Sequence, residues 1–187
     1  SQWQTYKNAK YGYEIKYPMG WSYREHPDLQ DGAGFTPDST ISVPQTEVIR
    51  IHENGRALSD CSMPFSEYVK VSAVHEIQNY EELNSIEDFK TESGLTGYKT
   101  TWIHSDSDDS SKKNISLPLT YFEHKNLLCS NGEDHIMVDM ANEKYIDVYD
   151  KMIRSFKFTD SLNTNIQPAN WKTTKVYGFD SLDYDLN

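Results

Sequence analysis

The feature that most constrains this chain is its opening run. Tyr13-Glu14-Ile15-Lys16-Tyr17 alternates ring, charge, aliphatic, charge, ring, and Pro18 follows. A period of two places Tyr13, Ile15 and Tyr17 on one face of a strand and the charges on the other. Pro18 cannot donate a ladder bond and ends the strand. Trp3, Tyr6, Tyr11 and Trp21 surround it. A chain that begins this way has to bury a ring-lined sheet face, with Trp3 and Trp21 near its edges. Aromatics are 13% of the 187 residues, while mean hydropathy is only -0.76. The core therefore leans on rings that each bury about 150–250 Å², under a very polar surface.

The same alternation continues further along. Thr5-Tyr6 reads as extended, Asn8-Ala9-Lys10 as a turn, and Trp21-Ser22-Tyr23-Arg24 as a second strand after Gly20. Residues 27–39 read as a loop, Ile41 and Val43 as a short strand, and Val48-Ile49-Arg50-Ile51-His52 as a clearer one closed by Asn54-Gly55. Ser62-Met63-Pro64 has the chemistry of a helix start. Phe65, Tyr68, Val71, Ser72 and His75 continue at helical spacing to about Ile77. The acidic residues 76–88 read as a solvated face or linker. Extended pieces follow at 86–91 and 98–104 around Gly94-Leu95-Thr96-Gly97, and residues 105–114 read as polar and disorder-prone. Residues 117–123 and 136–140 form strands flanking a hairpin loop. A second helix carries Tyr145, Val148, Tyr149 and Met152, and Phe156 and Phe158 alternate in a terminal strand. Hairpin-length connections and two helices predict an α+β domain, an antiparallel β-sheet with helices packed on its faces.

Charge excludes some roles. Eighteen Lys+Arg against 29 Asp+Glu leaves a net charge of -11. A net anion repels phosphate backbones and anionic lipid, so no nucleic-acid partner is expected. No stretch approaches the roughly 18–20 apolar residues of a transmembrane segment. The chain starts Ser1-Gln2 without Met, which reads as a mature or engineered start whose leader is gone. Cys61 and Cys129 share no CxxC spacing and have no histidine cluster beside them. In an exported domain they could form one disulfide; two thiols are the alternative.

The ordered pieces resemble the PsbP-like family. They are the aromatic opening at 3–6, Tyr11-Gly12-Tyr13 and Tyr17-Pro18, Gly20-Trp21, Ser66-Glu67-Tyr68-Val69, Gly94-Leu95-Thr96-Gly97-Tyr98 and Ile153-Arg154-Ser155-Phe156-Lys157-Phe158. The resemblance covers residues 3–159 and implies an α/β/α sandwich around an antiparallel sheet. Founding members are lumenal accessory subunits of photosystem II that aid calcium and chloride retention. Others look like exported bacterial proteins or lipoproteins without an assigned role. The composition suits that uncharacterised, extracytoplasmic branch, and the family brings no catalytic residues to carry over. Residues 160–187 read as a polar linker and tail. There Trp171-Lys172-Thr173 and Tyr177-Gly178-Phe179 echo Trp3-Gln4-Thr5 and Tyr11-Gly12-Tyr13, as the start of a second repeat or as a strand on the same domain.

Few residues point to chemistry. Asp106, Asp108 and Asp109 form a weak cation loop. An EF-hand is rejected, because Ser111 stands where its glycine belongs and Leu117 where its bidentate glutamate belongs. Six scattered histidines, His26, His52, His75, His104, His124 and His135, make no metal spacing. His124 and His135 flank one hairpin and could approach each other beside Glu123 or Asp134. Asn114-Ile115-Ser116 matches a sequon. No GxSxG elbow is present and neither cysteine has a basic neighbour to activate it, so no catalytic residue and no cofactor are expected. The function expected is a non-enzymatic binding or accessory domain, secreted or lipid-anchored at the cell envelope, for an unidentified protein or small ligand. A calcium- or cation-binding accessory role is the alternative, and a hydrolase stands behind both.

Overall fold

The turn at Asn8 sets the first hairpin. Its Oδ1 accepts from the amides of Lys10 and Tyr11, both at 3.0 Å, which closes an Asx-type turn. Strand β1 (Trp3–Asn8) thereby folds back on β2 (Tyr13–Pro18), pairing Trp3 with Pro18 and Asn8 with Tyr13. Tyr13, Ile15 and Tyr17 are all buried, on the face that the alternation predicted. The other edge of β2 takes β11 (Lys157–Phe158). The last described strand is thus stitched to the first hairpin. The structure, a computed structural model, describes residues 2–26, 32–37, 47–76, 82–105, 113–124, 129 and 134–159.

The remaining described strands are β3 (Ser22–His26), β4 (Gly32–Thr36), β5 (Ile49–Asn54), β6 (Glu82–Lys90), β7 (Thr96–Ser105), β8 (Lys113–Ile115), β9 (Leu119–Glu123) and β10 (His135–Met140). They form one antiparallel sheet in the order β3-β4-β5-β10-β9-β7-β6, with β8 pairing β7. Period two splits its side chains between two cores. Phe35, Ile49, Ile51, Phe122, Ile136, Val138 and Met140 face the β1-β2-β11 sheet and helix α2 (Ile146–Ser155). Trp102, Leu119 and Tyr121 face helix α1 (Phe65–Glu76) through Phe65, Tyr68 and Val69. Tyr121 and Phe122, adjacent in sequence, lie in different cores. Phe122 stacks on Phe156 at 4.2 Å between centroids, and Tyr13 stacks on Phe156 at 5.4 Å. The α+β class and the sandwich of layers around an antiparallel sheet are therefore as expected. A three-stranded sheet shares one outer layer with α2.

Four local readings change. Residues 32–36, read as loop, form β4, because their glycines serve close strand packing rather than a turn. Residues 82–88 of the acidic stretch, read as a solvated face or linker, are the solvated part of β6, an edge strand among the described residues whose Glu82, Glu87 and Asp88 point to solvent, as edges do to discourage pairing with other chains. Lys113 and Asn114 belong to β8 rather than to a polar loop. In α1 the core takes Val69, and Val71 is only half-buried. Ile41, Val43 and the tail at 160–187 lie outside the described residues. No helix among the described residues is long and apolar enough to cross a membrane.

Candidate functional site

The structure separates the hairpin histidines. His124 lies in the first core, its Nε2 donating to Tyr11 O at 3.0 Å and its ring against Phe158 at 4.1 Å. His135 points through the other face, among Phe65, Tyr68 and Tyr121, with Nδ1 3.1 Å from Asp134 Oδ1. One hairpin that sends two rings to opposite sides of a sheet cannot join them at one metal. Among the described residues no group of three His, Cys, Asp or Glu could hold a metal ion. Asp106, Asp108 and Asp109 lie outside those residues. Asn114 of the sequon is exposed in β8. Cys61 and Cys129 are joined by a disulfide, with Cα atoms 5.7 Å apart.

The polar cluster with the most chemistry lies elsewhere, on the half of the sheet face that α1 leaves open. Cross-strand register puts Arg24, Gly34, Arg50 and Asp139 in one row across β3, β4, β5 and β10. Two residues further along, His26 stands opposite Gly32, and His52 opposite Met137. The two glycines cut a furrow between walls of Arg24 and His26 on one side and Arg50 and His52 on the other. Glu47, just before β5, lays its carboxylate in that furrow. His26 Nε2 donates to it at 2.7 and 2.9 Å, and Arg24 Nε stands 3.5 Å away. Arg50 grips Asp139 with two parallel bonds of 2.9 and 2.7 Å, and His52 Nε2 adds a third contact at 3.3 Å. Such fork-on-carboxylate pairs fix orientation as well as energy.

Burial sorts these charges. The side chains of Glu47 and Asp139 are 6% and 12% exposed, those of Arg24 and Arg50 41% and 45%. The outward charge is therefore cationic, on a chain that is anionic as a whole. Burial pushes the Asp139 carboxyl up, but hydrogen bonds from His52 and Arg50 outweigh it and hold the group below the usual range. It stays an anion and is a poor proton acceptor. No hydroxyl or thiol among the described residues hydrogen-bonds either imidazole. Among the described residues the arrangement fixes the direction of its charged groups and shows no nucleophile–base contact of the kind covalent catalysis uses.

Both glycines are sterically required, in different ways. A Cβ on Gly32 would fall 1.8 Å from the Ile51 carbonyl oxygen, which is backbone. One on Gly34 would fall 2.0 Å from Glu47 Cδ, the end of a side chain that can swing away. Gly32→Ala is expected to cost about 3 kcal/mol and Gly34→Ala about 1 kcal/mol, the top and bottom of the usual overpacking range. Urea denaturation of the two variants checks the order, and equal losses would refute it.

Acid should destabilise the domain in two windows. Burial lowers the His124 pKa from its ordinary 6.5, and Nδ1 is buried with no partner among the described residues. Below that value the unfolded chain takes up a proton that the folded chain resists, so stability falls as pH drops. Burial raises the Asp134 carboxyl, yet hydrogen bonds from His135 and from the Arg56 amide and side chain hold it at about 2, below its ordinary 3.8. Asp139 is lowered in the same way. Both contributions are intact above 3.8 and are lost in stronger acid, that of Asp134 as pH falls towards 2. Unfolding midpoints measured from neutral pH down to about pH 5 should decline in the wild type and stay flat in His124→Gln, which keeps a donor for Tyr11 O. An identical decline in both would remove His124 from the account.

No family model matches the chain. A stretch of 60 residues, 32% of this chain, is 37% identical to the tyrosine-protein phosphatase Lar-like of Caenorhabditis elegans, and covers 3% of that protein. Among solved structures, the solution structure of cyanobacterial PsbP (CyanoP) from Synechocystis sp. PCC 6803 is similar, with a TM-score of 0.45 and 18% identity over 83% of this chain and 92% of that one. The α+β class rests on the strand pairings rather than on this likeness, and no activity passes from either protein.

Proposed function

We propose that residues 3–159 form a non-enzymatic binding or accessory domain that works outside the cytoplasm, and that the open half of the large sheet is its binding face. The observation that carries this reading is the row Arg24–Gly34–Arg50–Asp139 with Glu47, His26 and His52 around it. Buried carboxylates hold two arginines and two histidines in fixed positions on a sheet face that α1 does not cover. Preorganised polar groups of this kind give orientation and specificity to a partner. A disulfide between Cys61 and Cys129 suits an oxidising compartment. The partner is another protein or a small ligand at the cell envelope. The net charge of -11 argues against nucleic acid.

The test uses the Arg24→Gln/Arg50→Gln double variant, in which both replaced side chains are half-exposed and the amide keeps a hydrogen-bond donor for Asp139; circular dichroism checks that it is folded. In size-exclusion of detergent-solubilised envelope, the wild-type chain should run in a complex and the folded double variant alone. A wild type that runs alone, or a variant that still co-migrates, would overturn the reading. Protein recovered from its native compartment with two free thiols would remove the oxidising location.

A further inference from the structure

Asn114-Ile115-Ser116 is the one Asn-x-Ser/Thr triplet of the chain, with a residue other than proline in the middle. We infer that Asn114 is an N-glycosylation site, that its donor is an oligosaccharide carried on a polyisoprenoid phosphate or diphosphate, and that the transfer precedes the pairing of β8 with β7. The inference rests on the extracytoplasmic location proposed above, not on the binding face.

The fold sets the acceptor where a glycan can stand. Asn114 lies in β8 (Lys113–Ile115), opposite His104 of β7, and is exposed. Among the described residues β8 pairs with β7 alone, so its other side is open. Next to Asn114, Ile115 is 63% exposed, the highest value among the large apolar side chains described. An open strand edge beside an exposed isoleucine invites pairing with another chain, and a bulky, hydrated sugar at that place blocks it. Asn8, Asn54, Asn84 and Asn142 have no hydroxyl two residues on. The Cys61–Cys129 bridge suits the exported route along which such transferases act.

Ser116 tells when the transfer takes place. The triplet requires a hydroxyl two residues after the asparagine, so that group has to be free to meet the transferase. In the folded chain it is engaged: Ser116 Oγ accepts from the Trp102 amide at 2.9 Å, and the Ser116 amide donates to Trp102 O at 2.8 Å. Trp102 is itself buried against α1. The triplet is thus held to β7 at both of its ends, by Asn114 opposite His104 and by Ser116 on Trp102. A transferase has to meet it as an unpaired, extended segment, before β7 and β8 join. In the transfer Asn114 Nδ2 bonds to the anomeric carbon of the first sugar, and the bond from that carbon to the lipid phosphate oxygen breaks. Nδ2 gives up one proton, the phosphate or diphosphate leaves with the bonding electron pair, and nothing is oxidised or reduced. Folding then closes Ser116 on Trp102 and leaves the glycan outside.

The experiment is peptide mapping by mass spectrometry of the chain recovered from its native source, beside Asn114→Gln and Ser116→Ala made in the same cells. The wild-type peptide that contains Asn114 should carry sugar, and both variants should lose it. Ser116→Ala keeps the asparagine, so its loss reads the triplet rather than the side chain. A native peptide without sugar, or sugar that survives Ser116→Ala, would overturn the inference. Should Ser116→Ala not accumulate, Ser116→Thr takes its place: it keeps the hydroxyl and should keep the glycan, and a glycan lost there counts against the site. The timing is read in vitro, with a solubilised oligosaccharyltransferase, its lipid-linked donor and the unglycosylated full chain. The folded chain should be modified at least about tenfold more slowly than the same chain reduced, alkylated and freshly diluted from urea, since in the fold each transfer waits for β8 to open. Equal rates would refute the order of events. A native chain with bridged cysteines and a bare Asn114 ends the inference and leaves the location standing, whereas free thiols with a bare Asn114 remove both.

Discussion

Replacing Arg56 by alanine is expected to lower the unfolding free energy by about 3–5 kcal/mol, the loss typical of breaking a buried ion pair from one side. The Arg56 and Asp134 side chains are 8% and 2% exposed. Arg56 Nε donates to Asp134 Oδ2 at 2.5 Å, its own amide donates to Oδ1 at 3.0 Å, and Nη1 donates to Met63 O at 2.9 Å. Its guanidinium lies over Phe65 and Tyr68, 5.4 and 5.8 Å from the ring centroids. One side chain thus ties the segment leading into α1, the aromatic face of α1 and the β9–β10 hairpin. Truncation leaves the Asp134 carboxylate buried without that guanidinium, and the Met63 carbonyl loses its donor. Arg56→Lys should recover little, since a point charge cannot reproduce a fork that reaches a carboxylate and a carbonyl at once. Urea unfolding with the disulfide intact measures the loss, and a value under about 1 kcal/mol would place the pair in the class of exposed ones. The deficit should shrink in acid, where the stranded carboxylate of the variant takes up a proton and no longer buries a charge.

How much of this was legible in the sequence depends on which physical signal a residue leaves. Tyr13, Ile15 and Tyr17 announced their face because alternation between ring and charge has one structural meaning. The α1 start was legible at Ser62-Met63-Pro64, and α2 at Tyr149 and Met152, because a one-sided stripe is local information. Strand β4 was missed because Gly32-Ala33-Gly34 looks like a turn. In fact the Gly34 position is dictated by a carboxylate that arrives from residue 47, and no local pattern records that. The acidic stretch reaching into β6 reads equally as a solvated face or a linker, because a charged edge strand loses its alternation. The candidate site failed for a related reason. Arg24, Arg50 and Asp139 are separated by 26 and 89 residues, and only strand order β3-β4-β5-β10 brings them into one row. His124 and His135 failed the other way. They lie close in sequence on one hairpin, yet the pleat turns them to opposite faces. A signal for the furrow did exist, in Gly32-Ala33-Gly34 followed by Glu47, with Arg-x-His at 24–26 and again at 50–52 on the two strands that flank β4. It becomes readable only once the pairing is known.

Removing the disulfide, as Cys61→Ser/Cys129→Ser, is expected to cost about 4 kcal/mol in the chain-entropy account, given a separation of 68 residues. The bridge joins the segment after the short 3-10 turn Leu58–Asp60 to the β9–β10 connection. Arg56 and Asp134 link the same two regions a few residues away. The pair of staples therefore offers a test of where a disulfide acts. An entropic bridge works on the unfolded chain and leaves the folded contacts of Arg56 unchanged. Its loss and the loss of Arg56 should then add to within about 0.5 kcal/mol in the triple variant. If the bridge instead holds the hairpin in place so that Arg56 can reach Asp134, removing it already forfeits part of the ion pair. The triple variant would then lose clearly less than the sum. The packing around Arg56 favours additivity. Phe65, Tyr68 and Met63 O hold the guanidinium from the α1 side, and Asp134 is fixed by its strand neighbour His135, which pairs with Asn54 and Glu123 across β5 and β9. None of these contacts passes through either cysteine. A double-mutant cycle on urea-unfolding free energies reads the difference directly, and sub-additivity beyond 1 kcal/mol or so would shift the bridge from the unfolded chain to the folded one.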